Sequence, residues 1–387
     1  MTELATALED GPGWPAATGL TGPIAGVRVL DLSRVLAGPY AAMVLADLGA
    51  DVVKVERPGA GDDTRHWGPP FHGDDAAYFF SVNRDRRSVT LDLTTVAGQA
   101  VVARLIRDAD VVIENFLPRH LTALGLAALR DEASAVWVSV RGAGGDGPDG
   151  DKPGYDVMAQ ARSGLMSVTG TTEPTKVGVA VTDVIAGLYA ALGAVAGLVA
   201  RRSLRVEVGL LEVAVSALVN QASNALVGGV VPTWGGNDHP NLVPYGPVPC
   251  ADTVLVLGAG NDAQFRRALV AMGRPDIAGD PRFATIALRV ANRGRGRRRP
   301  WLGHERGPGR RPHRRRSGPG CCPRGQDRPA VGATARGRRR AVRPGAGCRT
   351  AAHRPAGRRD RPAAGGRAPG RAGAARRLAV PPGRGAA

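Results

Sequence analysis

From Arg293 to Ala387 the sequence contains no lysine, isoleucine, phenylalanine, tyrosine, asparagine or methionine. Those 95 residues hold 28 arginines against three acids, Glu305, Asp327 and Asp360, a net charge of +25. The other 292 residues hold 24 Lys+Arg and 31 Asp+Glu, a net of −7, so the +18 of the whole chain belongs to one end of it. With so few large apolar side chains, 293–387 has little to set against chain entropy, which argues against a packed core there. Runs such as RGRGRRR (293–299) and HRRR (313–316) have the charge of a nucleic-acid arm. Selection for phosphate binding admits lysine as readily as arginine, however, and base stacking calls for aromatic residues, of which only Trp301 is present. The absent residue types share AT-rich codons, while the abundant Arg, Gly, Ala and Pro have GC-rich ones. That is the composition of GC-rich DNA read out of frame. The expectation for 293–387 is a low-complexity basic tail, frameshifted or disordered, with nucleic-acid binding as the alternative reading.

Cysteine is equally scarce. Only Cys250 stands outside the tail, which excludes a disulfide framework and fits a reducing cytoplasm. Cys321, Cys322 and Cys348 match no zinc spacing, so no metal is expected. Residues 1–22 lack both a basic n-region and an apolar h-region, so no signal peptide is expected. The one long uncharged stretch, Val184–Ala200, has 17 residues and spans about 26 Å as a helix, short of a hydrocarbon core of roughly 30 Å. It reads as a buried central helix rather than a membrane span.

What is present alternates. RVLDL (28–32) is a short apolar strand; Pro39–Gly49 is a helix with proline near its start and glycine as its stop; Asp51–Glu56 is a second strand. SVTLDL (88–93), a helix over Ala97–Ala109, DVVIENF (110–116), a helical stretch near 120–131 and AVWVSV (135–140) continue the pattern. Such alternation predicts an α/β fold with a largely parallel sheet. Ligands of such sheets sit at the carboxyl ends of strands, here 33–38, 56–62, 115–118 and 141–147. An acid after the second strand, Glu56, hints at a dinucleotide enzyme, but SRVLAGP (33–39) has one glycine where a GxGxxG turn needs three.

RVLDLSRVLAGPYAAMVLADLGADVVKVERPGAGDDTR (28–65), SVNRDRRSVTLDL (81–93), DVVIENFLP (110–118), GYDVMAQARSGLMSVTG (154–170), VNQASNALVGG (219–229), GNDHPNLVPY (236–245) and DPRFATIALRVANR (280–293) together resemble the family III CoA-transferases, the CaiB/BaiF family. The resemblance covers about residues 22–293 and stops where the composition changes. It implies a Rossmann-like large domain (22–209) and the beginning of a smaller α+β domain (210–292), preceded by a flexible N-terminus (1–21). It also implies an interlocked homodimer, coenzyme A as a substrate, and no cofactor or metal. The implied reaction moves CoA from an acyl-CoA to a carboxylic acid through an aspartyl thioester, which is covalent catalysis.

By the same resemblance Asp183, in VAVTDVIAG (179–187), is the nucleophile. Spacing alone makes it an N-cap of the following helix, ionised at neutral pH by free N–H groups and the helix dipole. The resemblance places CoA against Arg57, Asn83, Arg84, Asp85, Arg86, Asn115, Phe116, Leu117 and Arg141, under a mobile loop containing Gly235 and Gly236. Asp156 and His239 read as structural. Tyr155 stands where the racemase branch has histidine, and a phenol with an ordinary pKa near 10 is a poor proton shuttle, which favours transfer over racemisation. Ala123 replaces a family arginine, with Arg119 nearby as a substitute, and Leu36 replaces a glutamine, which argues against oxalate and formate. A loop missing near Arg201–Arg205 is expected to disturb the next strand. With the tail unlike the family, the sequence predicts a chain that folds poorly or lacks activity as written.

Overall fold

The structure, a computed structural model, describes Trp14 and residues 19–145 and 147–294. The basic tail beyond 294, with its three cysteines, lies outside the described residues, as does most of the N-terminus. Trp14, expected in a flexible segment, is held: its indole N–H donates to Asp51 at 2.9 Å and its backbone N–H to Asp108 at 3.3 Å.

Six strands form the central sheet: β1 (Arg28–Asp31), β2 (Asp51–Glu56), β3 (Arg87–Thr90), β4 (Val111–Glu114), β5 (Val136–Arg141) and β6 (Arg205–Gly209). All pairings are parallel and the order is β3-β2-β1-β4-β5-β6. The strands β4 and β5 are buried at every position, so unbroken apolar runs rather than alternation mark them in the sequence. The chain lays down β1, works outward to β3, then returns to the other side of β1. That reversal opens a crevice between the ends of β1 and β4, the usual ligand position in such a sheet.

The helices of ten or more residues are α1 (Ala37–Asp47), α2 (Val96–Asp108), α3 (Val181–Ala200) and α4 (Asp262–Ala271). One core cluster packs α1 and α3 on one face of the sheet; a second packs α2 on the other. Helix α1 begins two residues before the expected Pro39, and its first turn passes so close to the preceding loop that a Cβ on Gly38 would meet the Ser33 hydroxyl at 2.2 Å. Gly49, at φ +100°, ends it in the left-handed conformation that glycine supplies.

Helix α3 has 20 residues, three more than expected at its N-terminal end, and is long and apolar enough to cross a membrane by length and composition. Its buried stripe is Ala186, Gly187, Ala190, Ala191, Ala194 and Gly197, small residues that let it lie close over α1 and the sheet. The opposite face is not buried in the single chain: Leu188, Leu192 and Val199 are exposed, so the helix expected to be buried and central is buried on one face only. The missing loop near Arg201 does no damage. Arg201 closes α3 at φ +50°, the Leu204 carbonyl accepts from Trp137 at 2.8 Å, and β6 joins β5 in register.

Beyond the main sheet, the antiparallel pair β7 (Tyr245–Pro249) and β8 (Val254–Gly258) packs with α4 around Phe265, Leu269 and Phe283. Arg289 is wholly buried there. It bonds the carbonyls of Val243 and Phe283 and the Asp262 carboxylate, and lies 4.4 Å from the Phe265 ring centre.

Candidate active site

The turn after β1 is clamped from below. Asp31 is fully buried; it accepts from the Ser33 N–H and hydroxyl and pairs with Arg86 at 2.6 Å. The Lys54 ammonium donates to the Ser33 carbonyl at 2.8 Å and pairs with Asp62 at 3.0 Å. Asp62 in turn accepts from Thr64 and, at 3.3 Å, from the Val35 N–H. Burial opposes the Asp62 charge, but Lys54 and Thr64 outweigh it and hold its carboxyl below the ordinary range. On this base Val35 sits at φ +73°, a conformation that a β-branched residue adopts only when its surroundings impose it. Asn115, at the end of β4, brackets the adjacent Arg34: its carbonyl accepts from the Arg34 N–H at 3.0 Å and its amide donates to the Arg34 carbonyl at 2.7 Å.

Two compartments open above this turn. The larger, about 500 Å³, is lined by Lys54, Arg57, Leu91, Thr94, Leu124 and others at the ends of β1 to β3. The smaller, about 290 Å³, is lined by Val35, Leu36, Arg141, Tyr155, Asp183 and Leu210 among others. Arg34, Phe116 and His120 line both, so the two compartments meet at those side chains.

Asp183 is the third residue of α3 and 9% exposed. It does not cap the helix: Ala180 occupies the N-cap, and no hydrogen-bond donor to the Asp183 carboxylate is found among the described residues. Asp156 has taken that work. One of its oxygens accepts from the Thr182 N–H at 2.9 Å and hydroxyl at 2.7 Å, and the other accepts from Gln160 at 2.7 Å. Burial, and then the neighbouring Asp156 charge, push Asp183 up to about 7, so the expectation of a fully ionised carboxylate at neutral pH is corrected. The same acids act on Tyr78, whose phenol is pushed up to about 12 by burial and by Asp183, Asp156 and Asp62. Glu56, which lines the larger compartment, is already engaged: burial opposes its charge, but Arg65, Ser88 and the Asp62 N–H hold it near 2.

A family model described as CoA-transferase family III matches residues 24–299. The chain belongs to CoA-transferase family III. It is 46% identical over 286 residues to a succinate–glutarate CoA-transferase of Agrobacterium fabrum, covering 70% of this chain and 72% of that one. To the succinyl-CoA:glutarate CoA-transferase of Homo sapiens it is 41% identical over 280 residues, covering 70% of this chain and 64% of that one. A crystal structure of a CAIB/BAIF family protein from Brucella suis superposes with a TM-score of 0.62 at 41% identity, covering 70% of this chain and 75% of that one.

Within this family III chain, Arg57, Asn115, Phe116, Leu117 and Arg141 line the cleft. Arg141 is engaged already, by both oxygens of Glu114 and by the Phe116 carbonyl. Asn83, Arg84, Asp85 and Arg86 line neither compartment. Asn83 bonds the Phe79 carbonyl, Arg84 pairs with Asp47, Asp85 is exposed at φ +57°, and Arg86 is the buried partner of Asp31. Of the NRDR motif, Arg86 supports the turn through Asp31. Gly235 and Gly236 stand outside it too, with the Gly236 N–H donating to the Gly170 carbonyl at 2.7 Å. Arg119 reaches the Asp151 carbonyl, while Ala123 lines the larger compartment. His239 packs edge-on to Tyr245 and accepts from the Asn241 N–H. No cluster of His, Cys, Asp or Glu fit to hold a metal is found among the described residues. The sequence singled out none of Arg34, His120, Lys54, Asp62 and Tyr78, although Arg34 and Asp62 fall within the strand-end stretches 33–38 and 56–62. For Arg34 and Asp62 the signal was that position, for His120 the short helix Pro118–Ala123 that follows β4, and for Lys54 a charge inside an apolar strand.

Proposed function

We propose that this chain transfers CoA between an acyl-CoA and a carboxylic acid, with Asp183 as the nucleophile. The observation that carries the reading is an unpartnered, buried carboxylate in the wall of a compartment that opens into a larger one. The larger compartment has room for the nucleotide end of CoA, with Arg57 for phosphate, and the smaller receives the thioester. The Asp183 carboxylate attacks the thioester carbonyl and CoA leaves as thiolate, giving a mixed anhydride. The thiolate attacks the aspartyl carbonyl, which forms an Asp183 thioester and frees the donor acid. The acceptor carboxylate attacks that thioester, and the returning thiolate takes its acyl group and restores Asp183. Each step exchanges one acyl bond for another. CoA is a substrate here, and no other cofactor enters the scheme.

Relatives of this chain are named for succinate, glutarate, D-citramalate and mesaconate, which supports acids with two carboxylates as donor and acceptor. The test is to mix protein and succinyl-CoA, quench with hydroxylamine and map the product by mass spectrometry. A hydroxamate at Asp183 is expected, with no exchange in Asp183→Ala. Exchange at wild-type rate in that variant overturns the assignment. A second reading, a family member that has lost exchange, is carried by the end of the family match at 299, close to the compositional change at Arg293. Soluble protein with measurable succinyl-CoA exchange overturns it.

A further inference from the structure

A dicarboxylic substrate brings one carboxylate for the chemistry and a second that must be placed somewhere. Much of the smaller compartment offers it nothing: Val35, Leu36, Leu117 and Leu210 are apolar. An ionised carboxylate left against such walls is costly unless a cation meets it. Two cations near the turn are already spent. Arg141 is buried against Glu114 and the Phe116 carbonyl, and Lys54 is buried between Asp31 and Asp62.

Arg34 differs. Its backbone is fixed on both sides by Asn115, so the base of the side chain does not drift. Its side chain is 39% exposed and lines both compartments where they meet. One guanidinium nitrogen, Nη1, bonds an oxygen of Asp63 at 3.1 Å; the other oxygen of Asp63 is taken by Arg57. Two guanidinium groups share the one Asp63 carboxylate, so neither has an acid of its own there. Nε and Nη2 of Arg34 have no partner among the described residues, and this pair of donors matches the two oxygens of a carboxylate.

We propose that Arg34 is a specificity-determining residue that binds the second carboxylate of a short dicarboxylic substrate while the first is presented to Asp183. This rests on the CoA-exchange reading above for its setting, but its test does not depend on turnover. Glutarate and pentanoate have the same carbon chain and differ only in that second carboxylate. Isothermal titration of the full chain with each should show glutarate binding at least about tenfold more tightly, the effect of one charge-assisted pair at a half-exposed site. Arg34→Met should abolish the preference by weakening glutarate alone, and Arg34→Lys should restore part of it. Where the methionine variant fails to fold, Arg34→Gln carries the same comparison. Equal affinity for the two acids in the wild type, or a preference that survives loss of the guanidinium, overturns the proposal. An Arg34-dependent preference without a hydroxamate at Asp183 leaves this inference standing and removes the exchange reading; a hydroxamate without the preference does the reverse.

Discussion

At the scale of single residues, the neighbouring acids Asp183 and Asp156 set a pH dependence of stability and, on the proposed mechanism, of exchange. Asp183 holds its proton to about pH 7 in the folded chain, whereas an unfolded aspartate releases it near 3.8. Between those values the native state binds more protons than the unfolded state, so stability falls as pH rises across that window. The cost at pH 8 is on the order of 4 kcal/mol. Asp183→Asn should therefore melt higher than the wild type at pH 8 and no higher at pH 4, measured by calorimetry. On the proposed mechanism exchange needs the carboxylate and should move the opposite way, rising with pH through about 7 in a pH–rate profile. A flat profile across pH 6 to 8 sinks this account. The raised value was hidden in the sequence, where Asp183 looks like a cap. Asp156, 27 positions earlier, occupies the Thr182 N–H, and only the folded chain brings the two carboxylates together. Arg34 fell within the expected 33–38 stretch but was not singled out, for another reason: one arginine in a turn is ordinarily a solvated charge, and its bracket by Asn115 joins residues 81 positions apart.

At the scale of elements, sequence patterns located closely the strands that are buried on both faces, while β3, predicted at 88–93, and β6, given no predicted bounds, are partly exposed. The predicted second strand, Asp51–Glu56, matches the observed one at both ends, and DVVIENF contains Val111–Glu114. The stretch near 120–131 proved to be two short helices, Pro118–Ala123 and Leu126–Glu132, divided at Gly125 with φ +71°. Helix α3 shows what composition leaves unsaid. Its glycines look like weak helix formers, yet a Cβ on Gly187 would sit 2.8 Å from the Ala37 carbonyl and 3.0 Å from the Tyr40 ring. Gly187→Ala should gain helix propensity and still lose about 1–3 kcal/mol by pushing α3 off α1. Because Asp183 lies one turn away, exchange should fall with it. Urea melts and exchange assays on the same sample separate the two effects, and unchanged stability sinks the close-packing account.

At the scale of the whole molecule, the alternation of strand and helix was enough to name the sheet, but not to say which surfaces stay bare. The outward side chains of α3, Leu188, Leu192 and Val199, together with Val227 and Val231, give the single chain a large apolar exposure. Monomeric proteins rarely carry extended patches of this kind. A homodimer that covers them is the expected assembly, and Leu192→Asp should shift the protein to monomer in light scattering after gel filtration. A wild type that is already monomeric at micromolar concentration rules the dimer out.

The chain writes the middle of its sheet first. One wall of the cleft, 33–36, is made early; its partner at Asn115 follows 81 residues later, and Asp183 later still. No short fragment contains a binding site. The cleft closes only after loops of that length have been brought together, an entropic delay that places this unit among slow folders. Trp137, buried in the core on β5, the strand that pairs with both β4 and β6, reports on that step. Its fluorescence on dilution from urea should change no faster than the recovery of ligand binding. What is economical for chemistry, residues gathered from distant stretches into one crevice, exposes a nascent chain for longer before it has anything to hold.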